Sequence, residues 1–497
     1  MNEPPAPLEE RASALAIVRR FAREAWFLIV GVSALVLMPC FWHREIVAAD
    51  LGSHLYNAWL AQRISRGELP GLRLARQWSN VLFDYLLTAL ARFLNWHATE
   101  IAAVSLAVLI FFWGMFALAS AAARRAPWTL TPLLAIFTYG WTFHMGFFNY
   151  YLSLGLSFFA IAIVWRGRGG ERLIGLALAP LIYLAHPLGL LWFIGGALYV
   201  TLAQVVRPRL QILVLLAGAG VLAGLHAYLW LHYIVEASPF RFYQMNGSDQ
   251  VLLFGDRYQW IARALIAFAI LALALDAWRS RHDPQRWRQA GIVLQMFLLA
   301  LLAVPLLPRG VHLSESTAAV ALLTDRLTSV TAALGCCLLA TMRPAKWHFA
   351  ATLAIAVAFF ALVYRDTAVV NAMEAQAVRL VRTIPPDSRV LATIMPLGDS
   401  RVPIQHMIDR ACIGRCFSYG NYEPGSRLFR VRTNGYNPYV LEDYDLAVDM
   451  EEGDYTVRAG DLPVWQVYQC DETETHLCIH ALEVDEDNDR VGIHPDN

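Results

Sequence analysis

Eleven apolar stretches of roughly membrane-crossing length run through this sequence, at about 25–43, 100–123, 128–144, 147–165, 172–186, 188–206, 209–234, 259–278, 289–307, 320–342 and 347–364. A helix needs roughly 20 predominantly apolar residues to cross the hydrocarbon core. Within lipid the backbone must satisfy its own hydrogen bonds, which confines such stretches to helices. The composition agrees, because 57% of the 497 residues are hydrophobic and only 16% charged. A mean hydropathy of +0.43 leaves too little polar surface for a water-soluble globule of this size. The fold class expected is mostly α, a polytopic α-helical membrane protein with about eleven transmembrane helices over residues 25–364.

The formal net charge is zero, yet the basic residues are ordered along the chain. Arg11, Arg19, Arg20 and Arg23 precede the first run, and Arg124 with Arg125 follow the second. Arg166, Arg168 and Arg172, then Arg207 and Arg209, then Arg279, Arg281, Arg286 and Arg288, then Arg343 and Lys346 occupy alternate later gaps. By the positive-inside rule these gaps, and the N-terminal segment 1–24, face the cytoplasm. The clustering is a topology signal, so no nucleic-acid partner is expected. No small-residue cleavage site follows the first run, which reads as a retained span rather than a removable signal. The opposite gaps are then exported: residues 44–99, His144 to Phe148, His186-Pro187, 235–258, 308–319 and everything after about 365.

In the first exported loop, residues 50–66 and Asn80 to Trp96 read as two amphipathic helices on the membrane surface. After Arg365 acids become frequent, Pro385-Pro386-Asp387 makes a turn, and Arg389 to Thr393, 455–470 and 476–484 read as strands. A helix at 365–383 therefore connects the bundle to a small α+β periplasmic domain, 384–497, whose acidic tail from Glu483 is expected to fray. That domain holds Cys412, Cys416, Cys470 and Cys478, while Cys40, Cys336 and Cys337 lie in apolar runs. Four cysteines on an oxidising side read as two disulfides, with neighbours pairing, in preference to a zinc site.

The residues able to do chemistry gather near the exported ends of the runs. Asp50 and His54 stand one helical turn apart, with Asp50 near a helix N-terminus whose dipole favours the ionised carboxylate; the competing reading is an N-cap aspartate. Arg257 and Arg326 are cations suited to a phosphate, against loop solvation for the first and snorkelling for the second. Asp325 adjoins Arg326, but neighbours on a helix point apart. His144, Asn149 and His186 lie amid aromatic residues that equally suit an interfacial belt. Arg415, Tyr419, Asn421, Tyr422, Arg427, Arg430, Arg432, Asn434, Tyr436 and Asn437 crowd one exported stretch, suited to sugars and phosphates as well as to solvated loops. No Walker loop, dinucleotide fingerprint or zinc helix occurs in a credible context.

The segment Ala48-Ala49-Asp50-Leu51-Gly52-Ser53-His54 after the first span, the helices at 50–66 and 80–96, the many spans and the exported domain introduced by Ile384-Pro385-Pro386-Asp387 together resemble the GT-C superfamily of polytopic glycosyltransferases. Where many of those enzymes carry two adjacent acids, this chain has Asp50-Leu51. The resemblance implies a bacterial inner-membrane enzyme that moves a sugar from a polyprenyl-phosphate lipid donor to a periplasmic glycan, lipid or protein acceptor. Asp50 would be the base, His54 would orient it or touch phosphate, and Arg257 or Arg326 would hold the phosphate. No cofactor is required, a divalent cation is left open, and no metal-ligand set is identified. Two other readings stand: a non-catalytic scaffold or lipid-binding subunit of an envelope polysaccharide system, and a transporter or flippase, which would place paired ionisable residues deep in the spans.

Overall fold

The computed structural model describes residues 14–237, 242–281, 284–312, 320–452, 457, 459–471 and 474–482. The expectations for the extreme N-terminus and for the tail from Glu483 lie outside the described residues. Helices α1 (Ala14–Leu37), α2 (Leu51–Ser65), α3 (Leu82–Leu90) and α4 (Trp96–Ala123) open the chain, with strand β1 (Leu72–Leu74) between α2 and α3. Then come α5 (Thr131–Thr138), α6 (Trp141–His144), α7 (Phe148–Arg166), α8 (Gly170–Ala177), α9 (Ala179–Ala185), α10 (Pro187–Val205) and α11 (Gln211–His232). Strand β2 (Ile234–Glu236) precedes α12 (Phe242–Asn246), α13 (Tyr258–Arg279) and α14 (Pro284–Leu306); β3 (Gly310–His312) precedes α15 (Leu323–Thr341) and α16 (Lys346–Val381). The remainder holds β4 (Arg389–Thr393), α17 (Met407–Cys412), β5 (Phe417–Ser418), α18 (Glu423–Ser426), β6 (Val431–Thr433), α19 (Tyr444–Glu452), β7 (Val464–Gln469) and β8 (Leu477–Ala481).

Among the described residues seven helices are long and apolar enough to cross a membrane: α4, α7, α10, α11, α13, α15 and α16. Shorter apolar helical stretches cover Ala25–Cys40 and Ala290–Leu306. The runs at 128–144 and 172–186 form pairs of short helices instead of single spans. Extended backbone at Gly140 separates α5 from α6, and Pro180 opens α9 directly after α8. The 36 residues of α16, about 54 Å at 1.5 Å per residue, merge the last apolar run and the connecting stretch 365–383 into one helix.

Local chemistry sets the helix ends. Asn95 caps α4, accepting from Ala98 N at 2.9 Å. Pro187 at the first turn of α10 lacks an N–H where none is needed, and His186 Nδ1 accepts from Leu188 N at 3.1 Å. At this break between α9 and α10, Ser153 Oγ of α7 reaches the carbonyls of Ile182 and His186 at 3.2 and 3.0 Å.

The bundle has two distinct poles. At one, Arg125 donates to the Ala340 carbonyl at 2.8 Å, Arg166 Nε to that of Ala121 at 2.7 Å, and the Arg343 backbone N–H to Asp276 at 3.1 Å. The ends of α4, α7, α13 and α15, with several of the basic gaps of the sequence, meet here. The other pole carries the first turns of α4, α7, α10, α13 and α15, together with α2, α3 and the C-terminal domain. That domain is a four-stranded sheet in the order β5-β4-β7-β8, with β4 parallel to β5 and β7 and β7 antiparallel to β8. Disulfides join Cys412 to Cys416 and Cys470 to Cys478.

The first loop departs from the two-interfacial-helix expectation. Helix α3 is amphipathic, burying Phe83 and Leu87, but α2 buries every residue from Leu51 to Ala61. It lies between the bundle and the C-terminal domain, and one hydrophobic cluster combines its Tyr56, Trp59 and Leu60 with Met373 of α16, Val390 of β4 and Cys412 of α17. Its polar residues find partners far along the chain: Tyr56 Oη accepts from Ser418 N at 3.0 Å, and Asn421 donates to Asn57 Oδ1 at 2.9 Å.

Candidate functional site

Asp50 stands immediately before α2, so the N-cap alternative can be judged from geometry. Its backbone is already helical, with φ −75° and ψ −4°, and its side chain makes no capping hydrogen bond. An N-cap residue has extended backbone and accepts a bond from the second or third helical N–H. Asp50 does neither. Its main chain is held instead by Met145, whose carbonyl accepts from Asp50 N at 3.2 Å. Gly146, at φ +76°, makes this approach possible, because a Cβ there would meet Asp50 N at 2.5 Å.

Asp50 is half-buried as a residue and stands among polar side chains. Burial raises its pKa, while His406, His54 and Arg326 pull it down and Asp409 pushes it up. These side chains arrive from three elements: His54 from α2, Arg326 from the first turn of α15, and His406 and Asp409 from the start of α17. His406 Nδ1 bonds Asp409 Oδ2 at 2.8 Å. Gly52 lets α17 come this close, since any Cβ on it would strike the His406 carbonyl.

His54 Nδ1 bonds Asp84 Oδ1 at 2.9 Å, and the second oxygen of Asp84 accepts from Asn149 Nδ2 at 2.8 Å. Asn149 in turn accepts from Phe83 N at 2.7 Å, which fixes the dyad to α3 and α7. Burial opposes charging of His54, but Asp84, reinforced by Glu423 and Asp50, outweighs it and raises the pKa to about 9. Glu423 of α18 accepts from Ser53 Oγ at 3.3 Å. Burial and the nearby Asp84 push its pKa up, to about 8, against the pull of His54.

Arg326 is held chiefly by aromatic faces. Its guanidinium sits 4.2 Å from the Phe147 ring centroid and 5.9 Å from that of Tyr150, and Nη1 lies 3.4 Å from His186 Nε2. Its Nε is buried without a hydrogen-bond partner. Such a cation retains donors for an anionic ligand.

The sequence-derived candidates therefore separate. Asp50, His54, Arg326 and His186 converge, and Asn149 supports them through Asp84. His144 sits one step back, its Nδ1 3.0 Å from the Val47 carbonyl and its own carbonyl accepting from Ala49 N at 2.8 Å, so it shapes the segment that carries Asp50. Asp325 turns away from Arg326 toward Gln244, at 3.1 Å, Arg309, at 3.5 Å, and Arg401, at 3.6 Å. Arg257 is engaged elsewhere, paired with Asp366, whose other oxygen accepts from Tyr258 Oη at 2.7 Å; it ties α13 to α16.

Asp84, His406, Asp409 and Glu423 were not singled out from the sequence. For Asp84 a signal existed, an acid within the apolar stretch Val81-Leu82-Phe83-Asp84-Tyr85-Leu86-Leu87. Among the described residues the one His/Cys/Asp/Glu group close enough to share an ion is Cys470, His476 and Cys478, and its two cysteines are bonded to each other.

The His54 environment has a pH consequence. Because its folded pKa, about 9, exceeds the ordinary 6.5, the stabilisation is fully present below pH 6.5 and is lost as pH rises through about 9. It amounts to about 3 kcal/mol at most. The melting difference between the native protein and His54→Gln should be largest at or below pH 6.5 and shrink steadily to pH 9.5. A difference that stays constant across that range contradicts a charged His54.

Comparison of the chain with protein-family models, with curated proteins and with solved structures finds no match.

Proposed function

We propose that this chain is a GT-C-like glycosyltransferase of a bacterial inner membrane, with its basic pole in the cytoplasm and the Asp50 pole outside. It takes a sugar from a polyprenyl-phosphate donor and passes it to an extracytoplasmic hydroxyl. The observation that supports this reading is Asp50 itself, a half-buried aspartate released from helix capping and within electrostatic reach of Arg326 and His54. Transfer from a lipid phosphate needs one base for the acceptor and positive charge for the departing phosphate.

In the proposed reaction Asp50 removes the acceptor hydroxyl proton as the acceptor oxygen bonds to the anomeric carbon. The bond from that carbon to the phosphate oxygen breaks, and the phosphate leaves with the electron pair. Arg326 and the imidazolium of His54 stabilise its charge. The raised Asp50 pKa makes the carboxylate a stronger proton acceptor than an exposed aspartate. Asp84 and Asn149 hold His54 in place.

The test is transfer of label from polyprenyl-phosphate sugars to a membrane lipid extract by the full-length protein. Turnover supports an enzyme, and no turnover with any donor supports the scaffold reading. Arg326→Gln should lower kcat/KM for the lipid donor about 10- to 100-fold, as expected for losing a charged hydrogen bond. An unchanged kcat/KM would remove Arg326 from the phosphate site.

A further inference from the structure

The arginine-rich stretch of the C-terminal domain does not gather around Asp50 as a block. Its strand β6 pairs antiparallel with β1 of the first loop and sets Arg432 directly opposite Arg73. Like charges facing each other across a ladder are destabilising. Arg427 adds to the repulsion on Arg432; the paired strands of this ribbon, Leu72–Leu74 and Val431–Thr433, hold Arg73 and Arg432 and no Asp or Glu, and Arg76, Arg427 and Arg430 flank them in sequence. Among the described residues none of Arg73, Arg76, Arg427, Arg430 and Arg432 forms an ion pair.

The ribbon has a defined depth. Arg430 fastens it to α3, donating to Thr88 Oγ1 at 3.0 Å and lying 4.9 Å from the Tyr85 ring centroid. Helix α3 lies across the ends of the bundle helices: Val81 N donates to Leu184 O at 3.2 Å, and Phe83 stacks on Phe148 at 4.7 Å. Arg76 lies over the Trp78 ring at 4.5 Å; Trp78 is 60% exposed, and Phe93, just after α3, is 86% exposed. Cations beside exposed aromatic rings, level with the ends of apolar helices, match the boundary between acyl chains and headgroups.

We propose that this ribbon binds the phosphates of anionic lipid headgroups in the bilayer around the bundle. Guanidinium forks match phosphate oxygens. Bound headgroup phosphates would relieve the Arg73–Arg432 repulsion, and the Trp78 and Phe93 rings would enter the acyl boundary alongside. The inference is independent of the reaction assigned to the Asp50 site.

The test uses the full-length protein in neutral detergent, titrated with phosphatidylglycerol or phosphatidylcholine, with bound lipid counted by native mass spectrometry. The native chain should prefer phosphatidylglycerol. The triple variant Arg73→Gln, Arg427→Gln, Arg432→Gln should lose about 100-fold in affinity for it, from about fivefold per arginine, with phosphatidylcholine binding unchanged. The matching Lys triple, which keeps the charge, should retain most of the preference and serves as the reading if the Gln triple does not fold. Equal binding of the two lipids by the native chain, native-like phosphatidylglycerol affinity in the Gln triple, or loss of the preference in a folded Lys triple would overturn the proposal. Displacement of the lipid by millimolar inorganic phosphate would also overturn it, assigning the arginines to a free anion.

Discussion

Arg410→Met should destabilise the protein by about 3–5 kcal/mol, the scale for removing one partner of a buried ionic network. Both Glu374 oxygens lie 2.7 and 2.8 Å from Arg410 Nη1, while Nη2 lies 3.3 Å from Glu100 and 3.0 Å from the Ile46 carbonyl. All three side chains are at most 10% exposed. Without the guanidinium two carboxylates face each other away from water, whereas an exposed ion pair contributes little. The network joins α4, α16 and α17, and Glu100 also accepts from Ile46 N at 2.9 Å, four residues before Asp50. Loss of Arg410 should therefore loosen the segment that carries Asp50 as well as the domain junction. The check is chemical or thermal melting in detergent, with a companion triple variant that adds Glu100→Gln and Glu374→Gln. The triple should recover much of the loss. A single variant that melts like the native protein would show that the network carries no such energy.

Seven of the eleven apolar runs were legible as long apolar helices, because such a run is local information. The two runs that form short helices carry their own interruptions, Gly140 in one and Pro180 in the other, which a count of apolar residues overlooks. Cysteine pairing was legible for a similar reason, since the partners are only four and eight residues apart. The burial of α2 was not. Ser53, His54 and Asn57 look like the wet face of a surface helix, and only Glu423, Asp84 and Asn421, supplied by distant segments, make their burial tolerable. The site shows the same division. That Asp50, Arg326 and His186 share one pole follows from topology. That Arg257 and Asp325 are committed to Asp366 and to Arg309 and Arg401 depends on tertiary neighbours no local pattern encodes.

Asp50→Asn is the second large effect, and it acts on rate rather than on stability. Asparagine keeps the size and polarity of the side chain, and no capping bond or ion pair of Asp50 is lost among the described residues. The variant should fold with a melting midpoint equal to or above the native one, because burial disfavours the charge that is removed. A positioned general base contributes about 10²–10⁴-fold, so transfer should fall by that factor. In the native protein kcat/KM should follow a bell, rising with ionisation of Asp50 above the ordinary aspartate range and falling as His54 loses its proton near pH 9.

The most direct measurement is single-turnover transfer from labelled polyprenyl-phosphate sugar by native protein and Asp50→Asn, side by side, with melting recorded on the same samples. Transfer by the native chain is expected, with at least about a hundredfold less by a fully folded Asp50→Asn. Equal transfer by the two proteins would contradict it.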